Sequence, residues 1–168
     1  SNHPRMLSAL ADAKRAGASV VSINPLVETG MGRFKHPQQP LSMLGRGTRI
    51  ADDHLQVRVS GDAHLLKGLC KVVLRNDSID EQFIDEHTEG FEDFAAAIEA
   101  VTWEDIVSGS GVEREDIERV GEAFASSERM IICWAMGLTQ HRNSVAVIQE
   151  IANLLFLGGH FGRPGAGA

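Results

Sequence analysis

IICWAMGLTQHRNSVAVIQEIANLLFLGG, residues 131–159, decides how this chain is read. A run of apolar residues ends in Gly137, a polar cluster from Thr139 to Asn143 follows at once, and a helical pattern then begins. Short apolar runs bounded by glycine suit buried strands. The spacing therefore predicts a strand over 129–135, a ligand-facing turn over 137–142 and a helix over 144–159, ended by Gly158 and Gly159.

The same alternation recurs upstream. Pro4 suits a helix first turn, with Asn2 or His3 as cap. Met6, Leu7, Leu10, Ala11 and Ala13 form its apolar stripe and Gly17 its end. ASVVSI (18–23) predicts a buried strand and HLQVRVS (54–60) a short edge strand. The proline- and glycine-broken stretch 33–48 reads as an irregular excursion. GDAHLLKGLCKVVL (61–74) is helical, with Asp62 in its first turn, where a carboxylate suits the helix dipole. Further helical patterns fill 79–126, and Thr102 with Asp105 marks one helix start. Their acidic residues read as solvated helix faces.

Strands alternating with helices predict an α/β fold, a Rossmann-like three-layer domain with a mostly parallel sheet. The 168 residues suit one domain spanning 1–168. The glycine-rich end, GGHFGRPGAGA (158–168), and the start at a helix entry suggest a piece excised from a longer polypeptide. A net charge of −7 argues against a partner bound through a phosphate backbone, so no nucleic-acid role is expected. Cys70 and Cys133 both sit in apolar runs and read as two buried free thiols of a cytoplasmic protein. With no CxxC, no metal site is expected in this chain, and no apolar stretch is long enough for a membrane span.

In parallel sheets, ligands sit beyond the carboxyl ends of the strands. Three places meet that description: Asn24-Pro25, Ser60-Gly61-Asp62, and Gly137 to Arg142. Gly61 and Gly137 permit close backbone approach, and the helix starts beyond them offer unpaired N–H groups to a diphosphate. Asn2, before the first helix, has the same potential. Asp62 can accept two hydrogen bonds from a ribose diol or a guanine edge. Thr139, Gln140, His141, Arg142 and Asn143 supply donors and acceptors, and Arg142 a charge for phosphate. Plainer readings stand beside these: Gly137 as a strand end, Asp62 as a helix cap, His141 as a surface histidine, Asn143 as a cap. Neither GxGxxG nor a Walker loop is present, so the residues alone stop at a nucleotide-type ligand.

The segment WAMGLTQHRNSVAVIQEIANLLFLGGHFGRPGAG (134–167) resembles the molybdopterin oxidoreductases, the superfamily of formate dehydrogenase and dimethyl sulfoxide reductase. SINPLVETG, VSGDAHLLKGL and HTEGFEDF resemble further family segments in family order, so the likeness covers nearly the whole chain. HPRML, INPL, RFKHPQ and CWAMGLTQHRN are similar to the formate dehydrogenase-like, YdeP-type alpha subunit branch.

The resemblance implies a parent oxidoreductase carrying molybdenum, or tungsten, on two molybdopterin guanine dinucleotides. This chain would be the Rossmann-like domain holding much of one of them, and would not be catalytic alone. Asn24, Pro25 and Glu28 would lie at the guanosine end, with Gly61 and Asp62 also on the nucleotide. Gly137, Thr139 and Gln140 would line the diphosphate–pterin side, with His141 close by. His141 and Arg142 are the candidates for steering a small anionic substrate such as formate. The remaining domains of the parent chain would be its partners.

The chain departs from the family where Asn24 and Leu26 replace an Asp-Pro-Arg pair. The resemblance puts the family's metal-ligating residue upstream of this domain; neither it nor an iron–sulfur motif is in this sequence, and the strand expected before HPRML is missing or begins outside it. The rival reading is an α/β scaffold or interaction module that has lost the cofactor. A thiamine-type or simple NAD protein fits less well, because the glycine fingerprint is missing.

Overall fold

The computed structural model describes residues 4–34 and 47–168. Asn2 and most of the irregular excursion lie outside the described residues. The chain divides into two compact units, 1–56 and 57–168.

In the first unit, α1 (Pro4–Arg15) ends at Gly17, whose φ of +95° suits a helix terminator. Leu7 and Ala11, one turn apart, are its buried face. β1 (Val21–Ile23) pairs in parallel with β2 (Asp53–Leu55), Ser22 opposite His54. Between them lie the one-turn α2 (Thr29–Gly32) and an antiparallel bridge from Phe34 to Thr48.

Asp52 ties these pieces together. Its carboxylate accepts from Lys14 Nζ at 2.6 Å on both oxygens and from the Val20 N–H at 2.8 Å. Burial pushes the Asp52 carboxyl up, but the Lys14 and Val20 hydrogen bonds and the charges of Lys14 and Arg49 outweigh it, leaving the pKa lowered.

The second unit is built on α3 (Asp62–Arg75). Leu65, Leu69, Cys70 and Val72 are fully buried, and burial of a leucine side chain contributes roughly 1.5–3 kcal/mol. Around α3 pack α5 (Phe91–Ala100), α6 (Trp103–Ser110), α7 (Arg114–Ala125) and α9 (Ser144–Leu157). Two glycines set the approach of α3 to its neighbours. A Cβ on Gly68 would meet Ile106 and Ile117 at 2.9 Å, and one on Gly121 would meet Val72 at 2.7 Å. Lys71, mostly buried, donates to the carbonyls of Ile98, Glu99 and Val101, closing the C-terminal end of α5.

The helix patterns of 79–126 resolve into α4 (Glu81–His87), α5, α6 and α7. Thr102 caps α6 as expected, its hydroxyl accepting from the Asp105 N–H.

The α/β class with parallel strands is the class observed, but two details differ. The run 129–135 is not a strand: Ile131 makes one parallel bridge, to Gly167, and 132–135 find no ladder partner among the described residues. The apolar run supplied strand chemistry, but a strand also needs paired neighbours. Cys133 within it is exposed, whereas Cys70 is buried as read. The second strand begins at Asp53 and ends at Leu55, so Gln56 to Ser60 leave the ladder early.

Candidate functional site

The loop before α3 is held from beneath. Arg58 donates its backbone N–H to Ser110 O and Nη1 to Ser108 O, and the Gly61 N–H closes a turn on Arg58 O. A Cβ on Gly61 would lie 2.7 Å from Gly109 O and 3.1 Å from Arg58 O. The protein's own backbone thus accounts for glycine at 61. Ser60, at the third position of that turn, has φ +67°, where glycine ordinarily sits. Such a left-handed residue costs about 1–2 kcal/mol. The sequence placed Ser60-Gly61-Asp62 at a strand tip, and the left-handed backbone at Ser60 belongs to the turn that its Ser-Gly pair signals.

Asp62 opens α3 with its side chain largely buried, and His141 approaches it from the loop between α8 (Met136–Thr139) and α9. His141 Nδ1 lies 3.8 Å from Asp62 Oδ2 and has no hydrogen-bond partner. Burial raises the Asp62 carboxyl above its usual range, and backbone hydrogen bonding and the charge of His141 pull against that rise.

Gly137 differs from Gly61. Nothing lies within 4 Å of where its Cβ would be, and its φ is not in the left-handed region. The fold itself does not demand glycine there. Close approach by something outside the chain would. Gln140, Arg142 and Asn143 are exposed, and their side chains have no hydrogen-bond partner among the described residues. Asn143 precedes α9 without capping it, which sets aside the cap reading. The Thr139 hydroxyl reaches only the Met136 sulfur, at 3.8 Å. Exposed Val59, Met136 and Val145 supply apolar surface near these groups in sequence.

The first unit carries its own candidate loop. Asn24 Oδ1 accepts from the Leu26 N–H at 2.9 Å, and its Nδ2 donates to Glu28 at 3.2 Å. Gln56 donates to the Pro25 carbonyl. Asn24 thus spends its amide shaping the loop, while Leu26 and Val27 stand exposed.

The structure therefore brings together Gly61, Asp62 and His141, continuous with Gly137, Thr139 and Gln140. It separately groups Asn24, Pro25 and Glu28. A buried carboxylate, an unpartnered imidazole nitrogen and a run of unpaired polar side chains around an open glycine fit the polar parts of a dinucleotide. Among the described residues, no group of three or more His, Cys, Asp or Glu could hold a metal ion.

The sequence model of the molybdopterin oxidoreductases matches residues 3–168, and the chain belongs to that family. It is 41% identical, over 99% of its length, to the uncharacterized oxidoreductase Rv2900c of Mycobacterium tuberculosis. Protein YdeP of Escherichia coli is 38% identical over 99% of the chain, and formate dehydrogenase H of the same organism 28% over 99%. The chain spans only 22%, 24% and 21% of those three proteins. Among solved structures, acetylene hydratase from Pelobacter acetylenicus superposes with a TM-score of 0.80 at 19% identity, over 95% of this chain and 20% of that one. That likeness establishes the fold.

Proposed function

We propose that this chain is a cofactor-binding domain of a longer oxidoreductase that carries molybdenum or tungsten on two molybdopterin guanine dinucleotides, with formate dehydrogenase-like chemistry. The family match runs unbroken through both compact units, which supports one working domain over 1–168. The observation that carries the reading is the Asp62–His141 recess beside an open Gly137 and unpartnered Gln140. When bound, the metal–pterin group supplies the two-electron chemistry, and the protein supplies binding, orientation and electrostatics.

Asp62 accepts N–H or O–H groups of the nucleotide, and the loop ending at Gly61 fixes where that carboxylate stands. Gly137 admits the cofactor close to the backbone, and Thr139 and Gln140 hydrogen-bond its polar edge. Asn24, Pro25 and Glu28 belong to the guanosine end, with Asn24 as the residue that shapes the loop. His141 and Arg142 draw a small anion such as formate towards the cofactor. The unpaired cysteines suit a cytoplasmic setting, and no helix among the described residues is long and apolar enough to cross a membrane.

The site roles are tested by Asp62→Asn with Gln140→Ala in the full-length protein. Guanine nucleotide retained per polypeptide should fall at least about tenfold, by the loss of two polar contacts in a desolvated site. Retention equal to the parent's contradicts the assignment. For His141 and Arg142, joint replacement by Ala should raise KM for formate at unchanged metal content, and an unchanged KM and turnover removes them.

One observation favours a second reading. The Asn24 amide is already satisfied within its own loop, and exposed Leu26 offers no guanidinium. A scaffold that has lost the nucleotide would look like this at the first tip. It predicts no guanine in the intact protein.

A further inference from the structure

His141 presents its two ring nitrogens to different surroundings. Nδ1 is buried, has no hydrogen-bond partner and lies 3.8 Å from Asp62 Oδ2. Nε2 reaches solvent and has no partner among the described residues. Exposed Gln140 and Arg142 flank the residue in the chain.

Both backbones are pinned. The His141 N–H donates to Leu138 O at 3.1 Å, and its carbonyl accepts from the Ser144 N–H at 3.1 Å. Asp62 begins α3 directly after Gly61, whose N–H donates to Arg58 O. Side-chain rotation remains, and a small rotation of either group brings 3.8 Å into hydrogen-bond range. Bonds of this kind are often long until a ligand is seated. The charged groups of the surrounding segments are turned elsewhere. Arg58 gives Nη1 to Ser108 O, the His64 ring lies where a Cβ on Gly109 would be, and Glu150 of α9 acts on Cys70. Arg142 is exposed. Burial works against the Asp62 charge, and His141 is the charged group that works for it.

We propose that Asp62 is the positioning residue of His141: Oδ2 takes the Nδ1–H of the ring, which leaves Nε2 to face the small anion that His141 and Arg142 draw in. An ionised carboxylate accepts and cannot donate, so it selects the tautomer with the proton on Nδ1. Nε2 is then the nitrogen that gains the second proton. The imidazolium meets the anion through Nε2–H, and Asp62 balances its charge from behind. Asp62 Oδ1 stays open to the nucleotide, so one carboxylate serves cofactor and anion together. The anion's place rests on the cofactor reading, and the tautomer does not.

The full-length protein, 15N-labelled in its histidines, is studied by imidazole NMR at about pH 9, where an imidazole is ordinarily neutral. The His141 signals, identified by their loss in His141→Gln, should show the proton on Nδ1, against the Nε2–H form that free histidine favours. Asp62→Ala should return the proton to Nε2. Formate added at about pH 6 should shift the parent's Nε2 signal saturably, with an affinity about tenfold weaker in Asp62→Ala at equal guanine content. A parent ring with its proton on Nε2, or a tautomer unchanged in Asp62→Ala, overturns the pairing. An equal formate affinity in the two proteins, or no saturable shift in the parent, overturns the positioning role. The parent's tautomer needs no Asp62 variant, so it decides even where Asp62→Ala fails to fold. Guanine measured on the same samples keeps the two readings apart. Guanine-loaded protein with the Nε2–H form overturns this proposal alone, whereas guanine-free protein with the Nδ1–H form overturns the cofactor reading and supports the pairing.

Discussion

Asp62 and His141, 79 positions apart in the chain, face each other at 3.8 Å with both side chains mostly buried. The contact joins the first turn of α3 to the loop between α8 and α9. Because burial holds the Asp62 carboxyl above its unfolded value, its contribution to stability is fully present below that value and is lost as pH rises through the folded one. Asp62→Asn should therefore be more stable than the parent at pH 7 and lose that advantage at pH 3, by urea denaturation at both. His141→Gln should raise the Asp62 pKa further, readable by carboxyl carbon NMR. An Asp62→Asn variant no more stable than the parent at pH 7 would contradict this sign.

Asp52 has the opposite sign. Its carboxyl is depressed, so the stability it contributes is present above the unfolded pKa and disappears as pH falls through the folded one. Asp52→Asn should cost about 1 kcal/mol at pH 7, a value kept small because Asp52 is partly exposed. The difference from the parent should close in acid.

Lys71→Met keeps most of the apolar stem but removes the ammonium from three carbonyls at the end of α5. A loss of about 1–3 kcal/mol in urea denaturation follows from leaving those acceptors without their charged donor. Unchanged stability would mean that solvent satisfies them equally well.

Gly61→Ala and Gly137→Ala separate packing from ligand approach. At Gly61 the added carbon meets backbone oxygen, which cannot swing aside, and overpacking should cost about 1–3 kcal/mol. At Gly137 it meets open space, so stability should hold while cofactor retention in the full-length protein falls. Equal stability losses at the two sites would contradict this division.

Cys133, exposed, should react with a soluble disulfide reagent in the folded chain, while Cys70 should react only on unfolding. Burial pushes the Cys70 thiol far up, which removes the thiolate that such reagents need.

Much of the helical framework was legible because its signals are local. The apolar spacing of 65, 66, 69, 72 and 73 and the cap at Thr102 belong to single segments. What failed depends on partners distant in the chain. Residues 129–135 carry strand chemistry, yet only Ile131 finds a bridge, and that bridge reaches Gly167. Gly61 and Gly137 look alike in sequence and differ only in what surrounds them. At the candidate site the polar run 139–143 was readable, but its convergence with Asp62 was a matter of packing.

The central claim is most directly tested by the metal and guanine content of the full-length protein, purified from a host whose other molybdenum enzymes are loaded. Two guanine dinucleotides per metal ion, the ratio the cofactor itself dictates, is the predicted result. Protein free of metal and releasing no guanine on acid treatment would contradict it, and would leave Asp62, Gly137 and Gln140 as parts of a fold that no longer holds a cofactor.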